Sequence, residues 1–250
     1  YTYPYTRSTT KILRENFSEL YRDIKKISNI ERKDLIIDIG SNDGTFLNSV
    51  KDYTNNILGI DPAKNLSDLA NKKGVKTIND FFTNSLSKEI KDNYGEADFI
   101  VSTNTFAHTP EVKDFAEGLK TLISDQGVII IEIHYLGSMV SDNSFDTIYH
   151  EHFSYWSLEN LDELFKNYDL EIFDAKILPV HHGQLRIYLS KSGNYKVNDS
   201  FKKLLKNEIE EDLIGKKLTS FCNKVKEIKK DILNLFKEIA DSNKKIYGYG

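Results

Sequence analysis

The sequence is almost without cysteine: Cys222 is the single one in 250 residues. That excludes an intramolecular disulfide and a zinc site built on thiolates, and it suits a reducing cytoplasm. Long apolar runs are missing as well. The longest, Val128-Ile-Ile-Ile-Glu-Ile133, is interrupted by a carboxylate and is far short of the ~20 residues that a membrane span needs. No charged-then-apolar signal segment opens the chain. Neither sign of charge dominates. With 34 Lys and Arg against 38 Asp and Glu, the net charge is −4, so no basic field draws in nucleic acid or an anionic membrane. The expectation is a cytoplasmic protein with no nucleic-acid partner and no membrane partner. No motif speaks to its oligomeric state.

What is present is enough apolar material, 39% of the chain, for a real core in one large domain or one domain with an appendage. The first nine residues form a tyrosine-rich arm in which Tyr1, Tyr3 and Tyr5 alternate. Thr9 or Thr10 is placed to cap a helix through about Lys26, with apolar positions Ile12, Leu13, Phe17, Leu20, Tyr21, Ile24 and Ile27 at helical spacing. Strands are predicted over residues 35–39, 57–60, 75–78, 97–102 and 127–134, with helices from about Thr45, over 64–73 and over 112–123. Strands alternating with helices argue for an α/β fold, a parallel sheet with helices on both faces. After 135 the rhythm changes. Residues 136–148 read as a polar loop, 157–167 as a helix capped by Ser157, and 170–178 with 184–190 as an antiparallel hairpin. Residues 199–241 read as a solvated helical connector with an apolar seam at Phe201, Leu204, Leu205, Ile209 and Leu213, and Cys222 within it as a packing residue. Both ends, including the strand-like Lys244–Gly250, read as cut from a longer chain.

Two stretches carry chemistry. The first is Asp38-Ile-Gly40-Ser41-Asn42-Asp43-Gly44-Thr45, between a strand and a helix. Glycines there let the backbone turn sharply and approach a ligand, and the following helix N-terminus favours a polar group. The spacing is neither the G-x-G-x-x-G of a dinucleotide fold nor a P-loop. Asp61 ends the next strand, where a carboxylate can accept both hydroxyls of a ribose. The second stretch is Tyr149-His150-Glu151-His152-Phe153. Two imidazoles and a carboxylate can bind a metal with His181 or His182, relay protons, or satisfy a buried network. Proton transfer suits them best, because histidine titrates near neutrality and Glu151 can keep an imidazole basic. No metal is expected. His134, ending the fifth strand, reads as a satisfied strand-end histidine or a pocket wall, and Trp156 as a packing residue.

The glycine loop, Asp61, Asp80-Phe81, Asn104 and the strand order resemble the class I S-adenosylmethionine-dependent methyltransferases. The resemblance implies a Rossmann-like, seven-stranded, mostly parallel sheet closed by an antiparallel hairpin. It also implies the cofactor S-adenosylmethionine, with S-adenosylhomocysteine as product. Asp38, Gly40, Ser41, Asn42 and Gly44 would face its methionine portion, Asp61 its ribose, Asp80 and Phe81 its adenine, with Asn104 beside it. Ile148–Phe153, Asn104-Thr-Phe-Ala-His108 and His182-Gly-Gln-Leu-Arg186 are similar, in order and separation, to motifs of sugar C-methyltransferases acting on nucleotide-linked keto-deoxysugars. That likeness covers residues 1–190. It implies His152 as the base beside the ketone, with Tyr149 and Glu151 as active-site partners and His108 as a second histidine. His150, Tyr149 or His108 would serve the oxyanion, Tyr3 would lie near the cofactor, and His182 and Arg186 would bind substrate. It further implies deoxysugar or polysaccharide biosynthesis.

The organisation expected is an arm and helix over 1–30, the methyltransferase domain over 31–195, and a helical connector over 196–250 leading into a truncated C-terminal domain. The cysteine-rich zinc module of the family is absent from this sequence, and Gln184 stands where the family often has a small residue. The alternatives are an O- or N-methyltransferase and a subunit that binds the cofactor without turnover.

Overall fold

The computed structural model describes residues 2–9, 11–28, 30–180, 183–242 and 244–248, without the side chains of Leu13 and Arg14. Strands β1 (Ile36–Ile39), β2 (Ile57–Ile60), β3 (Thr77–Ile78), β4 (Ala97–Thr103), β5 (Ile123–His134), β6 (Leu170–Leu178) and β7 (Gln184–Lys191) form one sheet in the order β3-β2-β1-β4-β5-β7-β6. The first five run parallel, while β7 is antiparallel to β5 and to β6. This is the class I methyltransferase architecture expected from the sequence. The order reverses between β1 and β4, so the connections leaving their C-terminal ends run to opposite faces of the sheet and open the crevice where open α/β sheets bind ligands.

Strand parity sends successive residues to opposite faces, and the two faces have separate cores. One face, with Ile36, Phe99, Val101, Val128, Ile130 and Tyr188, packs on Phe17, Leu20 and Ile24 of α1 (Lys11–Ile27) and on α2 (Thr45–Val50). The other, with Ile37, Ile100, Ile129, Ile131 and Ile187, packs on α4 (Asn84–Tyr94), α5 (Val112–Leu122), α7 (Leu158–Lys166) and Phe201 of α8 (Asp199–Glu210). Ser157 caps α7 through its hydroxyl, which accepts from the Asn160 amide at 3.1 Å, as the sequence predicts. Residues Lys64–Lys72 form α3.

Several local expectations are corrected. Residues 136–148 are not simply a loop: Leu136–Asp142 is a helix, α6, because Leu136, Met139 and Val140 fall at helical spacing and pack with Leu213 and Phe221. Helix α4 has no counterpart in the sequence reading, since only Leu86 and Ile90 mark its buried side. The third strand shrinks to two residues because Gly74 turns at φ +75° just before it. The C-terminal helical stretch is interrupted by a π-helical turn at Leu213–Lys217 before α9 (Leu218–Asp241). Within α9 Cys222 is exposed rather than packed, and in α8 Ile209 is 54% exposed while Phe201 is buried. Among the described residues, no helix is long and apolar enough to cross a membrane.

Candidate active site

The residues after β1 and β4 build one half of the crevice. The Gly40 and Ser41 amides donate to the Ile60 carbonyl at 2.8 and 3.1 Å, folding the loop against the end of β2. Gly40 has φ +74°, and a Cβ on it would lie 1.9 Å from Thr105 Oγ1. Only glycine permits both that backbone conformation and the close approach of the loop after β4. Asn42 and Asn104 also take positive φ, at 54° and 53°, which asparagine tolerates. Asp61 anchors the turn, accepting from the Asn42 amide at 2.7 Å and the Ala63 amide at 2.8 Å. Burial raises its pKa, with those two amides and Arg7 opposing the shift.

Asp38 is wholly buried, and neither of its oxygens has a hydrogen-bond partner. Burial pushes its pKa up to about 7, with the Arg7 charge pulling the other way. The hydroxyls of Ser41, Ser102 and Thr103 and the Nη1 of Arg7 are likewise buried and unpartnered. Native interiors leave few such groups unpaired. Asp38 and Thr103 share one face of the sheet at the ends of β1 and β4, with Arg7 bound to the Thr103 carbonyl, and this unmet polar capacity marks a polar ligand. The N-terminal arm lies over this corner. Arg7 N donates to Asn42 Oδ1 at 3.0 Å, Asn42 Nδ2 donates to the Tyr5 carbonyl, and Tyr3 exchanges two hydrogen bonds with the side-chain amide of Asn65. Asp80 and Phe81, exposed beyond β3, stand on the rim beside Asp61, whose carbonyl accepts from Asn79.

The histidine run forms the opposite wall. Two clips hold it to the loop after β4: Phe153 N donates to the Ala107 carbonyl at 2.8 Å, and His108 Nδ1 donates to the Glu151 carbonyl at 2.7 Å. A carbonyl only accepts, so the proton of neutral His108 sits on Nδ1. The same logic applies to His152, which is buried with Nδ1 3.0 Å from the Thr147 carbonyl and Nε2 3.2 Å from the Tyr149 hydroxyl. Around its ring stand Tyr149 (4.3 Å between centroids), His134 (4.8 Å), His108 (5.0 Å) and Tyr155 (6.0 Å). Burial lowers the His152 pKa and the neighbouring His108 adds to that, against the Thr147 carbonyl and Glu151. The imidazole is therefore neutral at pH 7, with its lone pair on Nε2. Burial raises the Tyr149 pKa, keeping its phenol protonated.

The structure thus brings together His152, Tyr149, His108 and Glu151 on one wall, and Asp38, Gly40, Ser41, Asn42, Gly44, Asp61 and Asn104 on the other. His150 is exposed, its ring 6.1 Å from that of Tyr149, and it is not among the rings around His152. His134, at the end of β5, stands with its ring 4.8 Å from that of His152. His182 lies outside the described residues. The substrate-contact reading of Arg186 is corrected. Its side chain has no exposed surface and is bound to Glu132, Asp23 and Asn16 on the α1 face of the sheet. Sequence reading missed Arg7, a lone basic residue beyond the alternating tyrosines of the arm, and Gln184's link to Asn104, whose Oδ1 accepts from the Gln184 amide.

Residues 12–175 match a family model described as a methyltransferase domain, and the chain belongs to the S-adenosylmethionine-dependent methyltransferases. Residues 179–250 match a second model, described as a C-methyltransferase C-terminal domain. Among curated proteins, C-methyltransferase NovU of Streptomyces niveus is 30% identical over 219 residues, which is 87% of this chain and 52% of that protein. The chain therefore spans about half the length of this relative. Among solved structures, an S-adenosylmethionine-dependent methyltransferase from Anabaena variabilis aligns with TM-score 0.58 at 17% identity, over 73% of this chain and 86% of that one. A magnesium protoporphyrin IX methyltransferase from Synechocystis, with S-adenosylhomocysteine bound, aligns with TM-score 0.56 at 11% identity, over 72% and 83%. These two likenesses establish the fold. The orphaned carboxylate and hydroxyls beside the glycine loop fit the cofactor of the family.

Proposed function

We propose that the chain methylates a carbon beside a ketone, on a nucleotide-linked keto-deoxysugar, with His152 as the base. The observation that carries this reading is the state of His152: buried, neutral, its Nδ1 proton committed to a backbone carbonyl and its Nε2 lone pair next to a phenol. Transfer to carbon needs such a base, because carbon becomes nucleophilic only when a proton is removed and the resulting enolate oxygen is stabilised. The C-methyltransferase descriptions of the second family model and of the Streptomyces relative support the same reading.

The bound cofactor supplies an electrophilic methyl group. Asp38, Gly40, Ser41, Asn42 and Gly44 would hold its methionine end, Asp61 its ribose hydroxyls, and Asp80 and Phe81 its adenine, with Asn104 and Tyr3 alongside. The Asp61 oxygens each accept one amide and retain a lone pair for a hydroxyl. His152 Nε2 takes the proton from the substrate carbon, and the Thr147 carbonyl holds the imidazolium that forms. Tyr149, kept protonated, donates to the enolate oxygen. His108, whose Nδ1 proton points at Glu151, donates from Nε2 only as the imidazolium. Glu151 adds negative charge that favours protonation of His152.

The test is solvent-deuterium exchange beside the ketone in a panel of nucleotide-linked 4-keto-6-deoxyhexoses, followed by mass spectrometry with and without S-adenosylmethionine. Exchange together with gain of a carbon-bound methyl is expected. His152→Ala should lower both by on the order of 10²–10⁴-fold while cofactor affinity stays within a few-fold. A methyl located on oxygen or nitrogen, or full exchange in the variant, would overturn the reading.

A further inference from the structure

Arg7 belongs to none of the motifs discussed above, yet it is a buried cation at the cofactor corner. We infer that Arg7 binds the α-carboxylate of the cofactor's methionine end, opposite Asp38, which takes the α-ammonium group. Arg7 lies in the short 3₁₀ turn Arg7–Thr9, between the arm and α1, and is 7% exposed. Its guanidinium rests 5.9 Å from the centre of the Phe17 ring. One nitrogen, Nη2, donates to the Thr103 carbonyl, and Nη1 is buried with no partner.

A buried guanidinium ordinarily meets a carboxylate through two parallel hydrogen bonds. Here that pairing is not made. Arg7 attracts Asp38 and Asp61 only through space, since both Asp38 oxygens are unpartnered and the Asp61 oxygens accept backbone amides. A cation and an anion, each buried and each with unmet hydrogen-bonding capacity, are held near one another without touching. Leaving such groups unpaired is costly. The ligand that satisfies both at once carries the complementary pair of charges, as the amino-acid end of S-adenosylmethionine does. Guanidinium, carboxylate, ammonium and carboxylate then alternate in sign. The unpartnered Thr103 hydroxyl lies on the same face of the sheet as Asp38, next to the carbonyl that Arg7 holds. Arg7 N is also bound to Asn42 Oδ1, and Asn42 N to Asp61, so the arm, the glycine loop and the ribose acid form one linked unit.

The experiment is a residue–ligand cycle by titration calorimetry, using S-adenosylmethionine and decarboxylated S-adenosylmethionine as probes against the unaltered chain, Arg7→Met and Arg7→Lys. Methionine keeps an apolar stem against Phe17, and lysine keeps the charge. The unaltered chain should prefer the carboxylated ligand. Arg7→Met should lose roughly 10- to 100-fold affinity for it, the effect of one charged hydrogen-bonded contact, and less than about 3-fold for the decarboxylated one. Arg7→Lys should fall between. Equal binding of both ligands by the unaltered chain, or equal weakening of both by Arg7→Met, would overturn the inference and leave Arg7 a packing residue. No sugar substrate enters this measurement, so it is independent of which atom is methylated.

Discussion

Asp38 shows how a single side chain can be held in a state that favours ligand over fold. A carboxylate of ordinary pKa near 4 is raised to about 7 by complete burial. The folded chain therefore prefers the protonated acid. The stability this preference contributes is fully present below the unfolded pKa and is lost as pH rises through about 7. Above that pH the ionised group weighs against the fold by on the order of 2–4 kcal/mol. Asp38→Asn mimics the neutral acid at every pH. It should raise the melting temperature of the cofactor-free protein at pH 8, change it little at pH 5, and weaken cofactor binding. Thermal melts at the two pH values check this, and a lower melting temperature at both would mean that the charge supports the fold. In the unaltered chain, cofactor affinity should climb as pH rises through about 7, as Asp38 ionises to meet an ammonium group under the influence of Arg7, Asp61 and Glu132. His152 titrates in the opposite sense. Burial lowers it, so the free base persists below the usual imidazole midpoint.

At the level of the element, the turn after β1 is where sequence and geometry agree most closely. Gly40 combines a left-handed backbone with a Cβ position 1.9 Å from Thr105 Oγ1, whereas Gly193 has φ +83° and open space around it. Alanine at Gly193 meets backbone strain alone, about 1 kcal/mol. Alanine at Gly40 adds a collision that forces apart the loops after β1 and β4, for a total of roughly 3 kcal/mol or more. Urea denaturation of the two variants should separate these contributions; equal losses would mean that the Thr105 contact relaxes freely. The turn was legible because glycines at fixed spacing after a β-branched run have a direct backbone meaning. Helices α4 and α6 were not, because each buries only two or three apolar residues among small and polar ones, and their buried sides are defined by what packs on them.

For the whole molecule, buried polar networks fix the order of layers. On one face, Arg186 binds Glu132, Asp23 and Asn16, and Lys176 adds ion pairs to Asp23 and Glu19, fastening α1 across β5, β7 and β6. Burial alone would raise the Asp23 pKa, but Lys176, Tyr188 and Arg186 outweigh it and hold the carboxyl below its ordinary value. Arg186→Met would leave buried Glu132 without a counter-charge, while Asp23 keeps Lys176 and Tyr188, and is expected to destabilise the chain by about 3–5 kcal/mol. Adding Glu132→Gln should restore part of that loss. Chemical denaturation of the single and double variants measures the coupling, and strict additivity would mean that the pair does not act as a unit. On the opposite side, Glu208 of α8 accepts from the Tyr135 hydroxyl and from the Leu158 and Glu159 amides. That contact ties the C-terminal helices to the end of β5, next to His134.

The sequence by itself determined the strand–helix alternation, the glycine turn and the dense imidazole run, because β-branched runs, left-handed glycines and capping serines act within a few residues of one another. Only the tertiary structure decided which polar side chains face the crevice. Arg186 sits in a motif yet is turned by strand parity into a core covered by α1, while Arg7, outside the tyrosine alternation of its arm, reaches the buried corner beside Asp38. The direction in which a long charged side chain finds its counter-charge is set by packing between segments far apart in the chain, and nothing local encodes it.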